Sequence, residues 1–206
     1  EIYQCDWSSD VCSSDLLVIS QRCRKLSLGM EPGRGFEIVN PEDDARYGDY
    51  WRHLHSLMER KGVSPESART IVRTNTTVIA ALMVARGDAD AMICGTYGEY
   101  QWHLRYLLDI LGLEKGVHRA AGLSLLVLDD GPVFMCDTFV AEDPDHEDLA
   151  DITIRAAAKV QDFGITPKVA LLSTSNFGAR STPNTRKMRR TVKMLMEIKP
   201  DLEVEG

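Results

Sequence analysis

Apolar residues recur at helical spacing along much of the chain, beginning with Tyr47, Tyr50, Trp51, Leu54, Leu57 and Met58. This period predicts an amphipathic helix over residues 43–61, which Gly62 ends. Ser64, Pro65 and Glu66 then combine a capping serine, a proline at the first helical position and an acid in the first turn, which together predict a new helix start. The same reasoning predicts helices over residues 65–74, 75–86, 100–111 and 144–163, and from residue 183 onward.

Short apolar runs between these helices predict strands. Residues 89–94 and 168–173 each lie between a helix and a polar loop, which is typical of strands buried on both faces of a parallel sheet. Residues 123–128 and 133–140 flank a turn sequence and predict a β-hairpin, and residues 36–39 and 202–204 are shorter strand candidates. Because helix, strand, loop and helix recur twice, we expect an α/β fold with a mostly parallel sheet and one small antiparallel excursion.

The first sixteen residues follow neither pattern. They have no apolar period, and the pair Ser-Asp recurs at Ser9-Asp10 and Ser14-Asp15. A back-translation of residues 5–16 resembles a common short-read sequencing adapter, and a natural disordered tail is the alternative. We therefore expect residues 1–16 to be disordered and residues 17–206 to carry the fold as a piece of a longer protein.

Composition narrows the range of partners. Apolar residues make up 44% of the chain, charged residues 27%, and the net charge is −7, so neither nucleic acid nor an anionic membrane is expected as a partner. No apolar run is long enough to predict a membrane-spanning helix. Five cysteines occur without a CxxC pair, which favours buried free thiols in a reducing cytoplasm over disulfides or a zinc site.

Two loops after predicted strands could bind a ligand, because ligands of open α/β sheets bind beyond the carboxyl ends of the strands. Small residues there allow backbone N–H groups to approach an anion, hydroxyl and amide groups can donate hydrogen bonds, and an arginine adds a fixed positive charge. This chemistry suits a phosphorylated or CoA-type ligand. The candidate residues are Gly95 and Thr96 after the first strand, Arg105 on the following helix, and Ser173, Ser175, Asn176 and Gly178 after the second strand.

Each of these features also has an ordinary structural interpretation. A serine- and glycine-rich loop is often just a turn, Arg105 on a helix is usually solvated, and the basic run at residues 186–190 is usually the wet face of an amphipathic helix. The chain contains no GxGxxG, P-loop, HExxH or paired-cysteine motif. The residues themselves therefore predict neither a nicotinamide site nor a divalent-metal site.

Three stretches of sequence together resemble the phosphate acetyl/butyryl transferase family. They are residues 39–112, 137–157 and 164–189. Within that family, the segments VNPEDDARY, IVRTNTT and SNFG are similar to the domain fused behind the catalytic region of bacterial-type malic enzymes.

The resemblance implies a three-layer α/β/α fold related to isocitrate and isopropylmalate dehydrogenases, here truncated at the C-terminus. It also implies an acyl-CoA and phosphate cleft between subdomains. Arg105 matches an arginine that faces the anion site, and Ser173, Ser175, Asn176 and Gly178 match the loop that meets CoA or acyl phosphate. Ala179 departs from the serine common in that loop. The family's catalytic serine–arginine–aspartate segment lies further toward the C-terminus, so no catalytic residue is expected within this chain.

Three functions follow from the resemblance. The leading expectation is a regulatory module that binds acetyl-CoA or acyl phosphate and forms a homo-oligomer. The missing upstream domain would then convert malate to pyruvate with NADP and a divalent cation, Mg²⁺ or Mn²⁺. The alternative is a stand-alone phosphate acetyltransferase that moves acetyl between phosphate and CoA. A purely structural dimerisation domain is the third.

Overall fold

The structure, a computed structural model, describes residues 2–4, 13–41, 43–95, 98–176 and 179–206, with the side chains of residues 2–4, 13–17 and 32 outside the description. The chain forms two compact units, Glu1–Gly112 and Leu113–Gly206. No helix in the described part is long and apolar enough to cross a membrane.

The first unit is mainly helical. Its helices are α1 (Ser13–Lys25), α2 (Tyr47–Met58), α3 (Pro65–Thr74), α4 (Thr76–Arg86) and α5 (Tyr100–Ile110), with a 3-10 turn at Glu59–Lys61. Its described strands are β1 (Ile2–Gln4), β2 (Glu31–Pro32), β3 (Gly35–Phe36) and β4 (Ala91–Ile93). β1 pairs with β4 and β2 with β3, both in parallel.

Helix α4 forms the centre of the first unit. Seven consecutive residues, Thr77–Met83, are buried. Apolar side chains of α2, α3 and α5 pack in the same core, among them Leu54, Val72 and Ile110. Asn75 caps α4 by accepting a hydrogen bond from the Val78 N–H at 3.2 Å, which satisfies a backbone donor that burial would otherwise leave unpaired.

Helix α2 begins four residues later than the sequence predicts. Asp44 accepts hydrogen bonds from the backbone N–H of Arg46 at 2.7 Å and from its guanidinium at 2.8 and 3.0 Å. The guanidinium of Arg46, through this hydrogen bond, holds the pKa of Asp44 below its ordinary value although burial opposes it. These bonds stabilise a turn before Tyr47, because an aspartate that binds backbone two residues on competes with helix formation.

The second unit combines a hairpin with two long helices. Its elements are β5 (Leu123–Leu128), β6 (Gly131–Cys136), α6 (His146–Asp162), β7 (Lys168–Ala170), α7 (Pro183–Ile198) and β8 (Glu203–Glu205). β5 and β6 are antiparallel and β7 and β8 are parallel. The core joins Ala150 of α6, Leu195 of α7 and Val204 of β8.

Asp137 follows β6 and organises the chain that leaves the hairpin. Its carboxylate accepts hydrogen bonds from the N–H groups of Gly122 at 2.9 Å, Val140 at 3.3 Å and Ala141. Burial raises the pKa of Asp137, but these hydrogen bonds outweigh it, so the pKa lies below its ordinary value. The charged carboxylate thus favours the folded state.

The coarse α/β class is confirmed, whereas the sheet differs from the prediction. In the part of the chain that the structure describes, strands occur in two-stranded sheets, three parallel and one antiparallel, and a three-layer arrangement is not confirmed. The strands predicted to be buried on both faces are wrong in that respect, because Ala91, Ile93, Lys168 and Ala170 are exposed. Residues two apart in a strand share a face, so one face of each strand is exposed, while Met92 and Val169 on the other face pack against the cores.

Two further expectations differ from the structure. Residues 1–16 were expected to be disordered, but Ile2–Gln4 forms a strand and α1 begins at Ser13. Residues 5–12 lie outside the described part of the chain. The parallel pairing supplies hydrogen-bond partners for one edge of β4. Cys23 is buried as expected, but Cys136 is exposed, because both sides of the hairpin reach the surface.

Substitution Leu82→Ala should lower the free energy of unfolding by about 2–5 kcal/mol, because it opens a cavity in a fully buried helix. The measurement is the urea midpoint followed by circular dichroism. Leu108→Ala on α5 is the control, since Leu108 is 38% exposed and its truncation should cost about 1 kcal/mol or less. Equal losses for the two variants would contradict α4 as the centre of the core.

Substitution Asp137→Asn should reduce the dependence of stability on pH. Because the folded pKa of Asp137 is lowered, its contribution is present above the unfolded pKa near ~3.9 and is lost as pH falls through the folded value. Urea unfolding between about pH 6 and pH 3 should therefore show a shallower loss for Asp137→Asn than for wild type. Asp130→Asn in the exposed turn is the matched carboxylate control, and equal slopes for wild type and Asp137→Asn would contradict the assignment.

Candidate functional site

The first candidate loop follows β4. Gly95 has φ of +119°, a conformation that other residues rarely adopt. An added Cβ there would meet none of the described atoms within 4 Å, so the backbone angle favours glycine at this position. Thr96, the next predicted binding residue, lies outside the described residues.

Gly98 links this loop to the core through His103. A Cβ on Gly98 would lie 3.1 Å from Nε2 of His103. On the other side of the ring, Nδ1 lies 2.8 Å from Oγ1 of Thr77, which is only 2% exposed at the start of α4. The buried hydroxyl thus orients the imidazole against the loop, and the loop conformation depends on helix packing beneath it.

Sequence reasoning did not single out Thr77 as a site residue. Its position just after the helix cap Asn75 and before an apolar run is the one available signal. A hydroxyl at the start of a fully buried helix needs a partner, but the sequence does not say that His103, 26 residues later, supplies it.

Arg105 extends into solvent from α5. Its side chain is 79% exposed, and its Nε lies 3.9 Å from Oδ2 of Asp109, which also pairs with Lys61. A surface pair of this length contributes about 0–1 kcal/mol, so it constrains the guanidinium little. Arg105 is therefore accessible to an anion.

The second candidate loop is organised by its own serine side chains. Ser173 Oγ donates to the carbonyl of Ser175 and accepts from the Ser175 N–H, both at 3.2 Å. Ser175 Oγ accepts from the N–H of Arg180 at 3.0 Å. The structure thus brings Ser173 and Ser175 together as predicted. Their hydroxyl groups make hydrogen bonds within the loop.

The remaining loop residues are more open. Asn176 is exposed, and its carbonyl accepts from the N–H of Ala179 at 2.9 Å. Gly178 lies outside the described residues. Thr182 caps α7 by accepting from the Thr185 N–H at 3.3 Å, so the helix start already has a partner for one of its free donors. An anion at this loop would therefore find the exposed side-chain amide of Asn176 available, whereas one donor at the start of α7 is already occupied by its cap.

The described residues include no group of three or more histidine, cysteine, aspartate or glutamate side chains placed to hold a metal ion. Gly95 and Arg105 belong to the first unit, and Ser173, Ser175 and Asn176 belong to the second. The structure therefore places the predicted residues as two local groups, each after a parallel strand.

Comparison with known proteins gives consistent matches along the chain. The family model described as Phosphate acetyl/butaryl transferase matches residues 10–206. The NAD-dependent malic enzyme of Rhizobium meliloti is 49% identical over 92% of this chain and 24% of its own length. The NADP-dependent malic enzyme of Escherichia coli is 46% identical over 92% of this chain and 25% of its own length. The chain thus spans about a quarter of these relatives.

Phosphotransacetylases are more distant in sequence. The phosphate acetyltransferase of Synechocystis is 31% identical over 82% of this chain and 24% of its own length. A solved phosphotransacetylase from Streptococcus pyogenes has a TM-score of 0.73 and 26% identity, covering 93% of this chain and 57% of that one. Since the family model covers nearly the whole sequence, the chain belongs to the Phosphate acetyl/butaryl transferase family.

Proposed function

We propose that the chain is the phosphotransacetylase-like part of a bacterial malic enzyme and serves it as an acetyl-CoA-binding regulatory and oligomer-forming module. The observation that carries the proposal is the difference in sequence identity between this chain and two groups of relatives. Four malic enzymes match at 45–49% over 92% of the chain and two more match at 30–34% over 84%, whereas two phosphate acetyltransferases match at 29–31%. The finer three-layer fold and a cytoplasmic location belong to the same proposal.

Under this proposal the oxidative decarboxylation of malate to pyruvate belongs to a part of the parent protein outside this chain. That part would hold the nicotinamide nucleotide and a divalent cation, Mg²⁺ or Mn²⁺. We favour NADP, although one relative is described as NAD-dependent and another as NADP-dependent. The absence of a nucleotide or phosphate-loop motif in the sequence agrees with this division of labour.

Local chemistry supports an anionic ligand such as acetyl-CoA or acyl phosphate. Gly95 keeps the loop after β4 free of a side chain at a positive φ, which allows a ligand to approach the backbone. Arg105 is exposed and weakly paired, and a guanidinium binds phosphate oxygens in a bidentate manner. Asn176 adds an exposed amide after β7.

The hairpin supports oligomer formation. Val127 is 83% exposed, Leu128 53% and Met135 45%. Exposed apolar side chains grouped on one element often mark a protein–protein contact. Homo-oligomerisation through this hairpin would bury them.

A stand-alone phosphate acetyltransferase is the second candidate, favoured by the family itself and by the Streptococcus pyogenes structure. Transfer of acetyl between phosphate and CoA needs a group that activates the thiol, and none of the candidate residues described above has that role. An assay of acetyl-CoA formation from acetyl phosphate and CoA by the parent protein separates the two candidates: turnover there favours the transferase.

Substitution Arg105→Gln should weaken acetyl-CoA binding by about tenfold, the loss expected when one charge-assisted contact to phosphate is removed. Isothermal calorimetry with acetyl-CoA on the 206-residue chain is the measurement. Arg73→Gln, which removes an exposed arginine from the end of α3, controls for net charge and should bind like wild type.

Two results would reject the proposal for this site. One is the absence of binding by the folded wild-type chain at millimolar acetyl-CoA. The other is equal affinity for Arg105→Gln and wild type, which would leave Arg105 as a solvated helix residue.

A further inference from the structure

The second unit contains a cleft of about 360 Å³ beside the first turns of α6 and α7. Its lining residues are Asp145, His146, Pro183, Arg186, Lys187 and Arg190. Apart from Pro183, these described lining residues carry charged or imidazole side chains. A cavity of this composition suits a charged ligand better than an apolar one.

The three cations of the cleft lie on one face of α7. Pro183, Arg186, Lys187 and Arg190 occupy positions i, i+3, i+4 and i+7, which lie along a single side of a helix. Arg186 and Arg190 are one turn apart, with Cβ atoms ~5–6 Å from each other in such a pair. Both guanidinium groups can therefore reach the same small ligand.

Neither arginine side chain is paired with a carboxylate among the residues that the structure describes. Nη1 of Arg186 donates to the Ser181 carbonyl at 3.0 Å, a neutral acceptor. The side chain of Arg190 has no hydrogen-bond or ion-pair partner among the residues that the structure describes. Lys187 differs, because its Nζ lies 2.6 Å from Oδ1 of Asp143, so its charge is partly compensated.

Asp145 is the one carboxylate in the lining, and it is engaged by its own helix. Its Oδ1 accepts from the N–H groups of Glu147 at 2.8 Å and Asp148 at 2.9 Å. These hydrogen bonds direct its negative charge toward the backbone of α6. Since Asp145 and Thr182 cap the two helices, the arginines, and not open helix ends, remain as the groups available for an anion.

We propose that this cleft binds a small anion bearing two phosphate groups, held mainly by Arg186 and Arg190. A guanidinium pairs with phosphate through two parallel hydrogen bonds, and two of them one turn apart match a diphosphate or a bisphosphate. Lys187 and the imidazole of His146 supply further donors. The cleft contains none of the strand-end loop residues. Because acetyl-CoA itself carries a diphosphate and a 3′-phosphate, small phosphate probes, and not acetyl-CoA, test this cleft.

Calorimetry on the 206-residue chain with two probes tests the proposal. Inorganic pyrophosphate presents two linked phosphate groups without an organic part, and adenosine 3′,5′-bisphosphate presents two phosphate groups attached to a nucleoside. Salt at about 0.15 M limits the Debye length to ~8 Å, which suppresses binding by overall charge. Binding of pyrophosphate would support an inorganic or diphosphate source, whereas binding of the bisphosphate alone would support a nucleotide ester.

Variants of α7 locate the binding. Arg190→Gln should weaken the tighter probe about tenfold, and Arg190→Lys should recover part of that loss because it restores charge without the bidentate geometry. Lys193→Gln is the matched control, since Lys193 is 81% exposed, lies one turn beyond and is not in the lining. It should bind like wild type.

Three outcomes would overturn the proposal: neither probe binds the folded wild-type chain, Arg190→Gln binds as well as wild type, or Lys193→Gln loses as much as Arg190→Gln. Thermal unfolding of each variant establishes that it is folded. The Arg190 variants locate the phosphate probes at the cleft, and the Arg105→Gln comparison with acetyl-CoA tests the loop after β4, so either proposal can fail while the other stands.

Discussion

The first unit depends on a helix that has no solvent-facing side over seven consecutive residues. From Thr77 to Met83, helix α4 is buried, so it is stable only if other elements cover all of its faces. Helices α2, α3 and α5 contribute the apolar side chains that do so. Side-chain caps at Ser64 and Asn75 begin α3 and α4, so these two helices of the core start at hydrogen bonds made within one turn.

This burial also shapes the surface where a ligand could bind. The hydroxyl of Thr77 belongs to the buried helix, yet it contacts His103, whose ring lies against Gly98 in the loop after β4. The loop of the second unit has a different origin. Ser173 and Ser175 hold it through bonds between neighbours in sequence, so it needs little support from the core. One candidate loop is thus set by long-range packing and the other by local hydrogen bonds.

Local signals in the sequence predicted the helices well and the strands less well. Ser64-Pro65, Asn75 and Thr182-Pro183 each begin a helix where expected, because a cap acts within one turn. The start of α2 was missed, since the Asp44–Arg46 turn competes with the helix over two residues. The prediction that both faces of β4 and β7 are buried is also wrong. An apolar run shows a preference for burial, but it does not encode which elements will cover each face of the strand.

The sequence by itself determined the α/β class, the family, the helix caps, the glycine-containing loop after β4 and the serine-rich loop after β7, because each is read from the order of residues along the chain. Tertiary structure decided which side chains those loops meet. Thr77 and His103 are 26 positions apart, and Asp145 and Arg190, which line one cleft, are still further apart. Contacts at such separations depend on how helices pack, and periodicity gives the face of a helix without naming its neighbour.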